Sequence, residues 1–269
     1  MIVKVQDLSD PNLDIYSKYN ESQLLHLNEP NEGVFIAESP KVIERALDAG
    51  YEPISMLVDQ RHIEGEAKNV IGRLDTVPVY AASHDVLKGI TGSELTRGAL
   101  CAFKRKRLPS PSQLIGQITF AGRIVVLENV VNPTNVGAII RNAAALGWDA
   151  VLLTKGSSDP FYRRALRVSM GTALQIPWTY INGNSYVDEL HMLGFKTVAM
   201  ALKKDSLNID SDILKQEKKL AVILGTEGNG MAELNIKNSD YTVCIPMAHG
   251  VDSLNVSCAS AVALWELSK

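Results

Sequence analysis

The chain contains 269 residues, of which 46% are hydrophobic and 21% charged, and its formal net charge is −3 at pH 7. This length allows two domains with a sizeable core, and the composition is that of a soluble globular protein. The net charge excludes a uniformly basic nucleic-acid-binding protein. It leaves room for a local basic patch, because binding follows the distribution of charge.

The cysteines and the amino-terminal residues bear on the cellular setting. Cys101, Cys244 and Cys258 are scattered, and their spacing is typical neither of a zinc site nor of a disulfide framework. The five histidines show no metal-ligand spacing either. No apolar run reaches the length of a membrane span, and the opening residues MIVKVQDLSD do not resemble a secretion signal. We therefore expect a reduced, cytoplasmic protein without a metal and without membrane association.

Residues 1–108 alternate between strand and helix patterns, which predicts one α/β unit with a mostly parallel or mixed sheet covered by helices. The pattern predicts strands at 33–37, 53–58, 78–80 and 98–103, and helices at 14–26, 39–50, 61–74 and from 82 onward.

The composition changes after this unit. Lys104–Arg107 places four positive charges in a row, and two prolines and two serines follow. Such residues favour an extended linker, which we place at 109–121. The basic run fits either a solvated strand exit or a phosphate contact, and charge alone does not separate the two.

A second α/β unit is predicted for residues 122–269, with strands at 123–128, 150–153, 196–201, 219–224 and 241–245 and helices at 138–146, 161–171, 186–193 and near the C-terminus. The helix at 161–171 carries Arg163, Arg164 and Arg167. Three chemically distinctive stretches follow strands of this unit. In open α/β sheets ligands bind beyond the carboxyl ends of the strands, so these stretches can converge on one site.

The first stretch is Asn132-Pro-Thr-Asn-Val-Gly-Ala-Ile-Ile-Arg141. Asn135 lies near a helix N-terminus, and Arg141 follows about 120° further around the helix, at about 100° per residue. Arg141 interrupts an apolar helix and needs an anion or carbonyl groups, because burying an unpaired charge is costly. The alternative is a structural arginine paired with a carboxylate such as Glu128.

The second stretch, 220–230, runs from a strand into a loop with three glycines, as expected where backbone approaches a ligand closely. Neither the dinucleotide fingerprint nor the phosphate-binding P-loop pattern is present. Glu227 would repel phosphates, so a cationic or hydroxyl-rich ligand is favoured. The alternative is a solvent-exposed loop glutamate.

The third stretch, 245–259, follows a strand that Pro246 closes. We predict that Asp252 or Ser253 caps a helix that runs to about Leu267 and begins with small residues able to lie close to other backbone. Asp252, Ser253 and Asn255 gather polar groups at its N-terminus. The alternative is an ordinary capped C-terminal helix.

Together the patterns Asn-Pro-x-Asn-x-Gly-x-x-x-Arg, Gly-x-Glu-Gly-x-Gly and Ile-Pro-Met-x-x-x-x-x-Ser-Leu-Asn-Val-Ser resemble, in order, the signature motifs of the SpoU (TrmH) family of RNA 2′-O-ribose methyltransferases in the SPOUT superfamily. The resemblance covers about residues 122–269 and includes the segment 167–171. Residues 35–50 and 98–102 resemble more loosely the L30e-like ribosomal-protein fold. Ser39, in place of the family's usual glycine, and the pair His249-Gly250 depart from the family pattern.

The resemblance implies an α/β protein with two domains. Residues 1–108 would form an L30e-like RNA substrate-binding domain, 109–121 a linker and 122–269 a SPOUT methyltransferase domain, with a mostly parallel sheet and a deep trefoil knot. It also implies S-adenosylmethionine as methyl donor, no metal and a homodimer.

The resemblance also assigns residues. Cofactor contacts, largely through backbone, map to Gly225, Thr226, Ile245, Met247 and Leu254. Catalytic and RNA-contacting positions map to Asn135, Arg141, Glu227, Ser253 and Asn255. We further expect RNA contacts from Lys104, Arg105, Arg163 and Arg167.

These assignments give the expected mechanism. An arginine pKa above about 12 makes a neutral guanidine scarce, so Arg141 is expected to hold a phosphate and polarise the 2′-hydroxyl. Ser253 and Asn255 would orient that hydroxyl, and Glu227 would set the loop.

The expected activity is methylation of a ribose in structured RNA, with ribosomal RNA favoured over transfer RNA. The alternatives are a catalytically inactive knotted RNA-binding protein and a related methyltransferase acting on a base.

Overall fold

The computed structural model describes residues 2–7, 9–91, 98–119, 122–182, 186–226 and 230–268. The chain divides into two compact units. Unit 1 comprises Met1–Arg107 and Phe161–Leu174, and unit 2 comprises Leu108–Pro160 and Gln175–Lys269. Within the described ranges no helix is long and apolar enough to cross a membrane.

Unit 1 is built on a five-stranded mixed sheet in the order β1-β4-β3-β5-β2. The strands are β1 (Ile2–Lys4), β2 (Val34–Glu38), β3 (Pro53–Asp59), β4 (Val79–Ala82) and β5 (Ala99–Lys104). Strands β1, β3 and β4 run parallel, and β5 is antiparallel to β2 and β3. The helices before β5 are α1 (Asp14–Ser17), α2 (Glu21–Leu25), α3 (Pro40–Asp48), α4 (Lys68–Ile71) and α5 (His84–Thr91).

Two helices predicted in unit 1 are shorter than expected. The helix predicted at 14–26 is split into α1 and α2 because Asn20 starts a new helix with a capping box, in which Asn20 and Gln23 exchange side-chain and backbone hydrogen bonds. The helix predicted at 61–74 is reduced to a 3₁₀ turn at Gln60–His62 and to α4.

The first element of unit 2 corrects the sequence prediction of an extended linker. Residues 109–121 contain helix α6 (Pro111–Gln117), which Ser110 caps. The Ser110 hydroxyl accepts a hydrogen bond from Gln113 N at 3.3 Å, and Ser110 N donates to Gln113 Oε1 at 2.9 Å. The sequence Ser110-Pro111-Ser112-Gln113 is thus a helix start rather than an extended connection.

Unit 2 contains a seven-stranded sheet in the order β10-β12-β9-β11-β6-β7-β8, and every strand pair in it is parallel. The strands are β6 (Arg123–Glu128), β7 (Ala150–Thr154), β8 (Trp178–Ile181), β9 (Lys196–Met200), β10 (Leu207–Asn208), β11 (Leu220–Gly225) and β12 (Tyr241–Cys244). The central strands are apolar and buried, as expected for a parallel sheet covered on both faces. The predicted α/β fold with a mostly parallel C-terminal sheet is confirmed.

The remaining helices are α7 (Pro133–Ala145), α8 (Arg163–Val168), α9 (Tyr186–Met192), α10 (Asp212–Gln216), α11 (Glu233–Asn238) and α12 (Val256–Glu266). Helix α12 packs along α7. Trp148, just beyond α7, donates its indole N–H to Leu264 O at 3.1 Å and to Ser268 Oγ at 2.9 Å. The C-terminal helix is therefore held to α7 by side-chain hydrogen bonds as well as by apolar packing.

The segment Phe161–Leu174, which includes α8, belongs to unit 1 although its neighbours in sequence lie in unit 2. The Phe161 ring packs against Phe35 and Tyr51, with centroid separations of 4.7 and 5.5 Å. Arg163 and Arg167 both lie beside the Glu38 carboxylate, at 3.3 and 3.6 Å. Aromatic and charge contacts thus bind the segment to the first sheet.

A buried carboxylate lies at the carboxyl end of β3 in unit 1. Arg61 Nη2 contacts Asp59 Oδ2 at 2.6 Å, Arg61 N donates to Oδ1 at 2.9 Å, and His84 Nδ1 lies 3.3 Å from Oδ2. Burial alone would raise the pKa of the Asp59 carboxyl, but the hydrogen bonds and charge of Arg61 outweigh it and lower this pKa to about 2. The ionised form of Asp59 therefore stabilises unit 1.

We expect Asp59→Asn to destabilise the protein at pH 7 by up to about 2 kcal/mol, from the free energy linked to such a pKa shift. Because the folded pKa lies below the unfolded value, this contribution is complete above about pH 4 and is lost as the pH falls toward 2. Urea unfolding between pH 3 and pH 7 measures it.

Asp48→Asn is the matched control, since Asp48 forms an exposed ion pair with Arg73 at 2.8 Å, and its effect should stay within about 0.5 kcal/mol. An Asp59→Asn deficit that is equal at pH 3 and pH 7 would contradict the role assigned to the charge.

Candidate functional site

Four neighbouring strands, in the order β12-β9-β11-β6, place the three distinctive stretches at one edge of the sheet in unit 2. Because these strands are all parallel, their carboxyl ends face the same way. The register pairs Gly225 at the end of β11 with Glu128 at the end of β6. The segments after β6, β11 and β12 carry the first, second and third stretch, so residues about 120 positions apart in sequence reach a common edge.

The turn after β6 is held by side chains that the sequence did not reveal. Asn129 has a positive φ of 53°, and its backbone N–H donates to Thr154 Oγ1 at 2.9 Å. The Thr154 hydroxyl donates in turn to Asn129 Oδ1 at 3.1 Å. A side chain on Gly156 would place its Cβ 2.1 Å from that oxygen, so a larger residue there would have to displace the Asn129 amide from Thr154. The turn that leads to α7 is thus fixed against the end of β7.

Helix α7 begins at Pro133, five residues before the predicted start at residue 138, and Asn132 caps it by accepting a hydrogen bond from Thr134 N at 2.9 Å. Asn135 is buried, and its Oδ1 accepts from Asn255 Nδ2 at 3.4 Å. This contact joins the first stretch to the third. Arg141 is exposed, and its guanidinium makes no hydrogen bond or ion pair within the part of the chain that the structure describes.

Glu128, which the sequence suggested as a structural partner for Arg141, binds other groups. It is buried, and its carboxylate accepts from Ala232 N at 2.8 Å, from Asn235 Nδ2 at 3.1 Å and from the Tyr186 hydroxyl. Burial and the hydrogen bond to Glu128 raise the pKa of Tyr186 well above its ordinary value, so the phenol remains a donor. The expected alternative of an Arg141–Glu128 pair is wrong, because three neutral donors occupy the carboxylate.

Glu128 also ties down the second stretch, because Ala232 lies just after it. Within that stretch, at the end of β11, a Cβ on Gly225 would lie 2.7 Å from backbone atoms of Gly230 and Met231. Gly230 N donates to Thr226 O at 3.1 Å, and Gly230 has a φ of +64°. Gly225 and Thr226 therefore lie directly against Gly230 and Met231 just after β11. Glu227, predicted to set this loop, lies outside the described residues.

The third stretch leaves β12 at Cys244, one residue earlier than predicted. Ile245 and Met247 are half-buried, and His249 and Gly250 both have positive φ values in a turn closed by a Val251 N to Ala248 O hydrogen bond of 3.2 Å. The departure from the family pattern at His249 is thus part of a left-handed turn on the surface.

The helix cap in the third stretch differs from the prediction. Helix α12 begins at Val256 and is capped by Asn255, whose Oδ1 accepts from Ser257 N at 2.9 Å. Asp252 and Ser253 lie before it in an exposed segment without regular secondary structure. The cap shifts because Asn255 bonds both the first turn of α12 and Asn135, which no local pattern indicates.

Large apolar side chains are exposed on the segments that follow β6, β9 and β12, namely Val131, Leu202, Val251 and Leu254. Exposed apolar groups gathered at one edge are typical of surfaces that bind a ligand or a partner. The same edge carries backbone groups from the tight turns and the amides of two asparagines. It can therefore bind a molecule with both an apolar part and a hydrogen-bonding part.

The four predicted RNA-contacting cations all lie in unit 1 and all have partners there. Lys104 lies 2.5 Å from Glu52, and the Arg105 guanidinium lies 5.4 Å from the centre of the Phe161 ring. Arg163 and Arg167 share Glu38, as described above. Among the described residues no group of three or more His, Cys, Asp or Glu side chains could hold a metal ion.

Comparison with known proteins shows similarity along the whole chain. Residues 122–265 match the SpoU rRNA Methylase family. The chain is 35% identical to an uncharacterized tRNA/rRNA methyltransferase of Mycobacterium bovis, over 98% of this chain and 91% of that protein. It is 28% identical to the 23S rRNA (guanosine(2553)-2′-O)-methyltransferase RlmP of Bacillus subtilis, over 87% of this chain and 88% of that protein. The AdoMet-bound crystal structure of an rRNA methyltransferase from Sinorhizobium meliloti aligns with a TM-score of 0.81 at 25% identity, covering 99% of this chain and 97% of the other.

We expect Gly225→Ala to disrupt the tight turn after β11, because the added Cβ meets backbone that cannot move independently. The cost should be on the order of 1–3 kcal/mol in stability, and S-adenosylmethionine affinity should fall by at least about tenfold. Thermal unfolding and calorimetric titration measure the two effects.

Gly116→Ala is the matched control. It lies in α6 with no atom within 4 Å of an added Cβ, so alanine should raise stability by about 0.5–1 kcal/mol and leave affinity unchanged. Normal binding by the Gly225→Ala protein would show that the turn does not shape the cofactor site.

Proposed function

Because the chain belongs to the SpoU rRNA methylase family, we propose that it transfers a methyl group from S-adenosylmethionine to a ribose 2′-hydroxyl in a structured RNA. The observation that carries this proposal is the 3.4 Å contact between Asn255 and Asn135. It joins the first and third motifs at the edge where the glycine turn also ends. The relative from Bacillus subtilis, named as a 23S rRNA 2′-O-methyltransferase, supports the ribose oxygen as acceptor.

The residues at this edge suit the methyl donor. Bound S-adenosylmethionine supplies an electrophilic methyl group on a cationic sulfur. We assign its backbone contacts to Gly225, Thr226, Ile245, Met247 and Leu254. The tight turn at Gly225, the half-buried Ile245 and Met247, and the exposed apolar side chain of Leu254 support this assignment, since a nucleoside needs both apolar surface and backbone hydrogen bonds.

The acceptor side of the reaction is assigned to α7 and to the start of α12. Arg141 would hold an RNA phosphate and polarise the 2′-hydroxyl, and its exposure supports this role because its guanidinium is accessible to a ligand. Ser253, also exposed, and Asn255 would orient the hydroxyl, and Glu227 would set the loop. Most of the rate enhancement would come from positioning the acceptor oxygen in line with the methyl group.

We assign RNA binding outside the catalytic edge to unit 1, as an L30e-like domain. Arg167 and Lys104 keep about half of their side chains exposed although each lies beside a glutamate. A phosphate could therefore approach them, whereas the Arg163 side chain is mostly covered. Ribosomal RNA is the preferred substrate, and transfer RNA is the second candidate because the mycobacterial relative is named for both. The deep trefoil knot remains a prediction.

Wild-type protein should methylate a bacterial ribosomal RNA preparation in the presence of S-adenosylmethionine, and the product should resist alkaline cleavage at one nucleotide. Arg141→Ala should lower kcat by about 10²–10³, the range for losing a group that stabilises the reacting oxygen, with S-adenosylmethionine affinity nearly unchanged. Lys218→Ala is the control, because it removes an exposed charge just before β11, at the opposite edge of the sheet.

Other outcomes of this assay would favour one of the alternatives. Methylation of transfer RNA alone would favour the second substrate, and a methylated base would favour the base-modifying alternative. Cofactor binding without methylation of either RNA would support the inactive RNA-binding protein. Equal turnover of Arg141→Ala and Lys218→Ala would remove Arg141 from the site.

We also propose that the protein forms a homodimer through the outer face of α12. Trp265 on this face is 57% exposed. It lines an open, mostly apolar cavity of about 410 Å³ together with Ile209, Pro246, Ala261 and Val262, and Asp210 and Glu266 complete the lining. An exposed tryptophan beside a mostly apolar cavity is typical of protein–protein interfaces.

Trp265→Glu should convert the protein to a monomer of 29.3 kDa in light scattering, because a charge would be buried in the interface. Met192→Glu changes a side chain on α9 that is 80% exposed and should leave twice the monomer mass. A monomeric wild-type protein, or a dimeric Trp265→Glu protein, would rule out this interface.

A further inference from the structure

Asn142 directly follows the proposed catalytic Arg141 on α7, and its side chain points across to α12. Its Nδ2 donates to Ser257 O at 3.0 Å and to Ser260 Oγ at 2.9 Å. The Ser260 hydroxyl is buried and itself donates to Ser257 O at 2.7 Å. One amide of α7 thus binds the first two turns of α12 through both of its N–H groups.

The same turn of α12 is connected to α7 at a second point. Ser257 N donates to Asn255 Oδ1, and Asn255 Nδ2 donates to Asn135 Oδ1. Asn135 and Asn142 are separated by seven residues, or about 10 Å along the helix. The hydrogen bonds therefore form a closed path from α7 to α12 and back, and Arg141, Asn135 and Asn255 all lie on this path or next to it.

Helices α7 and α12 need these hydrogen bonds because the side chains at the start of α12 are too small to fix the relative position of the two helices by packing. After Val256, the first turns of α12 consist of Ser257, Cys258, Ala259, Ser260 and Ala261. Small side chains allow close approach but interlock weakly, so packing alone would permit one helix to slide along the other. Specific hydrogen bonds from the partly buried Asn142 side chain to Ser257 O and to the buried Ser260 hydroxyl define a single register.

We propose that Asn142 is a positioning residue for methyl transfer, which sets the start of α12, and with it Ser253 and Asn255, relative to Arg141. The inference rests on the proposed function, because it concerns the geometry of that reaction. A displacement of about 1 Å in a reacting group can cost on the order of 10²-fold in rate.

The structure provides a matched control at the far end of the same pair of helices. Trp148 also donates a side-chain N–H to a backbone carbonyl and a serine hydroxyl of the C-terminal segment, at Leu264 and Ser268. Trp148→Phe therefore removes the same type of contact away from the proposed site. Asn142→Ala and Asn142→Asp remove the amide donors, the second with almost unchanged shape.

The experiment compares kcat, KM for RNA and amide hydrogen exchange of these variants, below the melting temperature of each. Both Asn142 variants should lose about 10- to 100-fold in kcat, with KM for RNA within threefold of the wild type. Their amide exchange should be faster over residues 255–260. Trp148→Phe should retain kcat within threefold and show faster exchange over 264–268 only.

The outcomes separate this inference from the proposed function. If the wild type is active and the Asn142 variants match Trp148→Phe in kcat, the positioning role is wrong while the function stands. Unchanged exchange over 255–260 also overturns it, whether or not an RNA substrate is methylated. A wild type that binds S-adenosylmethionine but methylates no RNA overturns the function, and with it the catalytic part of this inference.

Discussion

Every strand pair in the sheet of unit 2 is parallel, so each strand delivers the chain to the same edge before a helix or loop returns it. Since β12, β9, β11 and β6 are neighbours, the segments that begin at Asn129, Thr226 and Ile245 meet although they are far apart in sequence. An antiparallel arrangement would send some of them to opposite edges. The location of the candidate site therefore follows from the parallel arrangement of these strands.

The three segments lie close together at one edge, so their backbones are crowded. Glycines and buried polar groups accommodate this crowding. Gly225 and Gly156 occupy positions where a Cβ would collide with neighbouring atoms. Glu128, buried at the same edge, accepts three hydrogen bonds and links the end of β6 to the start of α11. Buried polar groups of this type must be fully paired to be tolerated, and once paired they hold the surrounding loops in one arrangement.

The polar residues of the site serve the fold and the proposed chemistry at the same time. Asn255 caps α12 and contacts Asn135, so a side chain proposed to orient the substrate hydroxyl is itself oriented by the protein. Asn142 extends the same arrangement without facing the ligand. A side chain that positions reacting atoms works better when the protein already holds it in place. Such a side chain loses less conformational entropy when the substrate binds.

The sequence alone determined the α/β class and most strands of both units, since these depend on alternating hydrophobicity and on side chains within a few residues. Its three motifs, taken in order, also indicated the family. Only the tertiary structure decided the strand order, the placement of Phe161–Leu174 in unit 1, the cap at Asn255 and the partners of Glu128 and Asn142. The contacts that Phe161, Glu128, Asn142 and Asn255 make join residues about 60 to 125 positions apart. Local propensity carries no information about such contacts, because they exist only once the sheet has brought the segments together.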